Sequence, residues 1–314
     1  MPGNALKSEG VITLSAHRVH EEAEHHMRPK LLSLKEASEM IGNGQYVAIG
    51  GLTIHRKPMS MIHELIRTRR KELRLLVFGG GPDVDLLAAV GAVGSVEAAY
   101  VGFEILGLAP NFRKAVESGK IRFTEHTEYS IMAGLLATAF EAEFIPSKLL
   151  IGTDVLKGLG YKTFKSPLTD ELLVAYPRIK PDVAVLHAQK CDEYGNTQVE
   201  GVIAIDLLLA KASRKVIVTA EKIVPVEDMK VPAETNLPSN FVDAVVESPF
   251  GAHPTSCYPH YTYDLWHMIS YIESSRNGKM EDYLQKYVRG VNSFESYLAQ
   301  VGENAIKRVK VQER

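Results

Sequence analysis

The chain has 314 residues, 45% of them apolar and 24% charged, with a formal net charge of -2, which is ample material for a hydrophobic core. Its 36 basic and 38 acidic residues leave no positive excess for a phosphate backbone, which argues against nucleic acid as a partner. No apolar run approaches the roughly 20 residues of a membrane helix, and Cys191 and Cys257, too few for a disulfide framework and without zinc-type spacing, read as free thiols in a reducing cytoplasm.

Residues 1–30 form a polar arm, with His17, His20, His25 and His26 among Glu21, Glu22 and Glu24 and no apolar segment of a signal peptide. His20 and Glu24 have helical metal-ligand spacing, in a stretch whose composition suits a solvated tail. Residues 31–314 read as one α/β domain. Leu34, Ala37, Met40 and Ile41 recur at helical spacing, and Ser33 with Glu36 makes a capping box. The apolar run 47–49 stops at Gly50-Gly51, and Met61, Ile62, Leu65 and Ile66 resume at helical spacing, so the order is strand, glycine turn, helix. A second strand, 73–78, runs into Gly79-Gly80-Gly81-Pro82. Glycine at such turns lets backbone amides be approached closely, and in open parallel sheets ligands bind beyond the carboxyl ends of the strands. The two turns therefore mark the expected crevice, with Gly50, Gly51, Gly79, Gly80, Gly81 and Arg56 as substrate-binding candidates. The other reading is that the glycines serve only tight turns.

The alternation continues with a helix over 85–90, a strand over 96–102, a helix over 110–119 and a strand over 121–123. Residues 131–140 make a helix rich in small residues (Ala133, Gly134, Ala137, Ala139), with Glu128 near its N-terminus, where the macrodipole favours negative charge. Residues 146–169 read as a glycine-rich loop, mobile or at an interface. Beyond it come a buried strand over 183–188 ending near His187, a turn at 192–196, a helix over 205–212, a strand over 215–220 ending at Glu221, a strand over 241–247 and a helical C-terminal region. The fold class is an open, mainly parallel α/β sheet with flanking helices, the second half extending the first sheet.

No Walker loop, GxSxG elbow, HExxH or dinucleotide fingerprint is present, and no metal is expected. The ordered set Gly50-Gly51, Arg56-Lys57-Pro58, the Gly79 to Gly81 run, His187-Ala188-Gln189, Val242-Asp243-Ala244-Val245-Val246 and Pro249-Phe250-Gly251-Ala252-His253-Pro254 resembles the A subunit of the two-subunit family I CoA-transferases, of the glutaconate CoA-transferase type. The resemblance spans 34–302. It implies CoA as substrate with no bound cofactor, transfer of CoA between an acyl-CoA and a carboxylic acid, and a B subunit, in a heterotetramer, that brings the nucleophilic glutamate in a Ser-Glu-Asn-Gly-like stretch. Glu97, Glu104, Glu128, Glu143, Glu200, Glu221 and Glu247 all lack that context here. A carboxylate is a weak nucleophile, so such a site must stabilise the developing oxyanion.

Arg56 is either a forked cation for a substrate carboxylate or CoA phosphate, or the partner of a nearby acid. His187, Glu221 and His253 are either proton carriers or locally bonded groups. Glu128 is the catalytic candidate. The aligned glutaconate transferase pattern has glutamine there, and the related CoA-thioester hydrolases of steroid ring cleavage have glutamate. Three functions stay open: a transferase subunit, a hydrolase subunit using Glu128 as base, and a non-catalytic CoA-binding protein.

Overall fold

The apolar runs that end in glycine or histidine become the middle of a parallel sheet, because a strand covered by helices on both faces must be apolar on both. The computed structural model describes residues 28–229 and 236–311, so nearly all of the expected polar arm, His20 and Glu24 included, lies outside the described residues. The chain alternates through α1 (Leu34–Glu39), β1 (Tyr46–Leu52), α2 (Met59–Arg67), β2 (Leu73–Gly80), α3 (Pro82–Ala89), β3 (Val93–Val101), α4 (Pro110–Glu117) and β4 (Arg122–Glu125). Next come α5 (Glu128–Ala139), β5 (Phe144–Ser147), α6 (Asp154–Leu159), β6 (Thr163–Lys165) and β7 (Leu172–Pro177). Then follow β8 (Val183–Cys191), the short β9 (Thr197–Gln198), α7 (Asp206–Ala212), β10 (Lys215–Ile223) and β11 (Ala244–Glu247). The last described helices are α8 (Leu265–Arg276), α9 (Met280–Leu284), α10 (Phe294–Val301) and α11 (Glu303–Val309).

The sheet order is β11-β10-β8-β1-β2-β3-β4, parallel throughout, with β9 antiparallel on β8. From β1 the chain winds one way to β4; from β8 it winds the other way to β11. The switch point is thus between β1 and β8, which pair through Val47, Ala48 and Ile49. Alternate side chains face opposite layers. Val47, Ile49, Leu75, Val77 and Val185 meet α2, α3 and the C-terminal helices, while Ala48, Leu76, Ala184 and Leu186 meet α5 and α7. Ser33 caps α1 with both halves of the expected box to Glu36.

Two expectations change. The first strand does not stop before its glycines, since β1 runs through Gly50 and Gly51 to Leu52. The segment expected as a loop holds α6 and β6, and β6 and β5 flank β7 in a separate antiparallel sheet. Its strands are only three, four and six residues long, too short for an apolar period to announce them. This sheet lies on α5 as the small-residue helix allows: a Cβ on Gly134 would come within 2.5 Å of Ile179 Cγ1.

The C-terminal helices cover one face with an aromatic cluster that buries three histidines. His267 Nε2 shares a hydrogen bond with the Tyr283 hydroxyl at 2.8 Å, and His253 bonds the Tyr297 hydroxyl at 2.6 Å and Asp264 at 3.3 Å. His63 packs against Phe294 and Tyr297. Burial pushes His267 down to about 3, His253 below its ordinary value and His63 well below it. Asp264, although desolvated, is held low by hydrogen bonds from His253 and the His267 amide. The histidines are neutral when folded and free to charge when unfolded, so the unfolded chain binds more protons below pH 6.5 and stability falls with pH. By pH 5, His267 alone contributes a loss of about 2 kcal/mol, at about 1.4 kcal/mol per pH unit. Urea midpoints at pH 7 and pH 5 test this; equal midpoints would refute it.

Candidate functional site

The carboxyl ends of β1 and β8 are tied together by a buried charge pair. Arg56, in the turn after β1, is 2% exposed and adopts φ 54°. Its Nη1 lies 2.6 Å from Asp206 Oδ2 and donates to the His187 carbonyl at 2.6 Å, while Nη2 donates to the Val202 carbonyl at 2.6 Å. Asp206 opens α7 with no exposed surface, and its Oδ1 accepts the Gly51 amide at 2.9 Å. Gly50 makes this approach possible, because a Cβ there would meet Leu186 Cδ2 at 2.6 Å and Asp206 Oδ1 at 2.9 Å. The expected forked cation is therefore committed to an acid far along the chain, and Arg56 acts here by position.

The two glycine turns hold each other. The Thr53 amide donates to the Gly79 carbonyl at 2.9 Å, and a Cβ on Gly81 would fall 2.1 Å from the Thr53 carbonyl oxygen. Lys57 and Asp83, both fully buried, meet at 3.2 Å; Lys57 also donates to the Gly50 carbonyl, and Asp83 accepts the Gly81 amide at 2.7 Å. The Gly51 and Gly81 amides are thus occupied by the chain's own carboxylates. At these positions the glycines serve close packing of two turns, and a ligand would meet the wall they form.

Beside this pair, β8 and β10 carry a second buried chain of polar groups. His187 Nδ1 contacts the Thr219 hydroxyl at 2.8 Å and Nε2 contacts Glu221 Oε1 at 2.7 Å. Tyr261 donates its hydroxyl proton to the same oxygen, and the Phe250 amide donates to Oε2 at 2.6 Å. The Thr219 hydroxyl also lies 3.2 Å from the Leu186 carbonyl, so its single proton is shared between that oxygen and the histidine. Cys257 Sγ lies within 4.8 Å of the His187 and Glu221 ligand atoms, a grouping of metal-ligand type. Both histidine nitrogens and both carboxylate oxygens are already bonded, and burial, with Glu221 beside it, pushes the Cys257 thiol well up. The trio does not fit a metal, which needs the thiolate.

Two cavities open on either side of the 256–262 segment. One of about 320 Å³ is lined by His55, Arg56, Glu200, Val202, Tyr258 and Tyr263. The other, about 920 Å³, is lined by Glu221, Lys222, Phe250, His260, Tyr261 and Lys310. Gln189 anchors the wall between them, donating to the Glu200 and Tyr258 carbonyls and accepting the Glu200 amide at 2.9 Å.

Glu128 stands apart from this cluster. It is the first residue of α5, capped by Thr127, and exposed. It shares the carboxyl rim, but β4, which precedes it, is three strand positions from β1, about 14 Å at the usual spacing. Nearer to it, His126 Nε2 faces Glu97 at 3.5 Å and Nδ1 contacts the Ser130 hydroxyl at 3.0 Å. His253 belongs to the aromatic cluster. Asp206 was not among the expected residues; its one sequence signal is an aspartate opening a helix whose following face is apolar.

The coenzyme A transferase family profile matches residues 31–248. An uncharacterized protein of Archaeoglobus fulgidus is 38% identical over 289 residues, 90% of this chain, which spans 65% of that protein's length. The cholesterol ring-cleaving hydrolase IpdA subunit of Rhodococcus jostii is 34% identical over 280 residues, 84% of this chain and 93% of that one. The A subunit of glutaconate CoA-transferase from Acidaminococcus fermentans is 28% identical over 303 residues, 90% and 95% of the two chains. The crystal structure of that organism's glutaconate coenzyme A-transferase matches with a TM-score of 0.86 over 90% of this chain and 96% of that one. Sheet, glycine turns and near full-length similarity agree, and the chain belongs to the coenzyme A transferase family, as a protein of the A-subunit type.

Proposed function

We propose that the chain is the A subunit of a heteromeric enzyme that moves CoA between an acyl-CoA and a carboxylic acid, with the attacking glutamate brought by a B subunit. The observation that carries this reading is the condition of the charged groups at the crevice floor. Arg56 is bonded to Asp206 and two carbonyls, and Glu221 accepts three donors, so both build a wall and leave attack to a group from outside. In the proposed cycle the partner's glutamate attacks the thioester carbonyl, the carbon–sulfur bond breaks, and CoA leaves as thiolate from an acyl-glutamyl anhydride. The thiolate then attacks the glutamyl carbonyl and expels the first acid as carboxylate. The acceptor acid runs the same two steps in reverse.

Ile105 is 84% exposed, Leu108 55% and Tyr258 63%, and all three lie beyond the carboxyl ends of strands, where a second chain would cover the crevice. A site-completing interface of this kind buries about 2,000 Å² or more, and the assembly proposed is two copies of each subunit. Among the described residues no helix is long and apolar enough to cross a membrane; a cytoplasmic location belongs to the same proposal. CoA is the proposed substrate, with no bound cofactor.

A second reading keeps the scaffold and replaces the acceptor acid with water, Glu128 serving as base. It draws on the exposed position of Glu128 at a helix start and on the 34% identity to a ring-cleaving hydrolase subunit. One experiment separates the two: the co-expressed complex, an acyl-CoA, and an acceptor acid present or omitted. Transfer gives acceptor-dependent exchange with ping-pong kinetics, and Glu128→Gln retains most of it. Hydrolysis gives thioester or carbon–carbon cleavage without acceptor, abolished by Glu128→Gln. Turnover of acyl-CoA by this chain alone would overturn the shared-site reading.

A further inference from the structure

At the end of the sheet opposite the crevice, the turns entering β2 and β3 form a cavity of about 510 Å³ lined by Arg67, Arg69, Arg70, Lys71 and Arg289 with Ile66, Val90 and Gly91. Five cations in one cavity do not reflect a basic chain, since the formal net charge is -2. Two of the five are neutralised locally: Arg67 bonds Glu64 at 2.7 Å, and Arg289 pairs with Glu281. Glu72 directs its carboxylate toward Gly94. Arg69, Arg70 and Lys71 have no ion-pair partner among the described residues. Arg67 Nη1 and Arg70 Nε are buried and bond no group among them either. Buried guanidinium N–H groups are costly to leave unbonded, and each one calls for an acceptor.

The simple account is compensation of helix dipoles, because α2 and α3 both end here. A helix C-terminus carries only about half a negative charge, so two such ends call for about one cation and leave the others unexplained. We infer that this cavity binds a small organophosphate carrying at least two phosphate charges, such as a nucleoside diphosphate. Guanidinium groups pair with phosphate oxygens by forked hydrogen bonds, the cavity volume is in the range of small-molecule sites, and Ile66 and Val90 offer an apolar wall for the organic part. The eight residues of β2, about 26 Å at 3.3 Å per residue, separate this site from the crevice. A ligand here would act on the enzyme from a distance, and the inference stands whether the crevice performs transfer or hydrolysis.

The test is calorimetric titration of the co-expressed complex with ADP, inorganic pyrophosphate, inorganic phosphate and adenosine. ADP and pyrophosphate should bind, adenosine should not, and affinity should fall with added salt. Lys71→Glu and Arg69→Glu, both at exposed positions, should each weaken ADP and pyrophosphate binding about tenfold while acyl-CoA turnover without ADP stays unchanged. Binding of inorganic phosphate with weaker affinity supports the site, and preference for ADP over pyrophosphate assigns the apolar wall to the nucleoside. Absence of pyrophosphate and ADP binding, or wild-type affinity in both variants, would overturn the inference.

Discussion

Replacing Asp206 with alanine is expected to lower the stability of the chain by about 3–5 kcal/mol, the cost of breaking a buried ion pair and leaving its partner charged. Asp206 has no exposed surface and Arg56 is 2% exposed, so little water can reach the orphaned guanidinium. The substitution also removes the acceptor of the Gly51 amide and frees the turn that joins β1 to α2. Asp206→Asn retains an oxygen for that amide and loses only the charge, so its cost should fall between alanine and wild type. Joint replacement by Arg56→Met and Asp206→Leu should cost less than the sum of the single changes, since neither buried charge then remains. Urea unfolding of the purified variants, followed by circular dichroism, gives the values. A loss under about 1 kcal/mol for Asp206→Ala, the level of an exposed pair, would show that the pair does not hold the turn.

Glu221→Gln is expected to slow turnover of the assembled enzyme by about 10²–10³-fold, the range for removing a preorganised electrostatic contact next to reacting groups. Glu221 accepts from His187 Nε2, the Tyr261 hydroxyl and the Phe250 amide, and glutamine offers only one acceptor oxygen. Its amide N–H groups would face donors, so Tyr261 and Phe250, which line the larger cavity, must shift. In the proposed shared site Glu221 is a positioning residue, and the loss should appear in kcat more than in KM. A variant that folds, assembles and keeps kcat within about threefold of wild type, far below the effect of such a contact, would remove Glu221 from the mechanism. Far-ultraviolet circular dichroism separates this from a folding defect.

Much of the scaffold is legible in the chain itself. The runs 47–49, 73–78, 183–188 and 215–220 are mostly apolar, a pattern that suits strands covered on both faces. Each lies in the central sheet, and β8 extends that sheet rather than founding a second one. The capping box of Ser33 and Glu36 formed because its bonds reach only three residues. Family membership was legible for a related reason: its motifs recur in order, and order survives in a linear string.

What the chain could not state was which distant groups meet. Arg56 and Asp206 lie in opposite halves of the sequence, and nothing local distinguishes an arginine awaiting a substrate from one already paired. The glycines of the two turns looked open to a ligand, but the Thr53 carbonyl lies where a Gly81 side chain would be. The small sheet of β5, β6 and β7 has too few residues per strand for a period to show. Propensity, capping and hydrophobic period act over a few residues and are written in the sequence, whereas strand order, buried ion pairs and the polar chain from Thr219 through His187 and Glu221 to Tyr261 exist only once the sheet has assembled and excluded water from them.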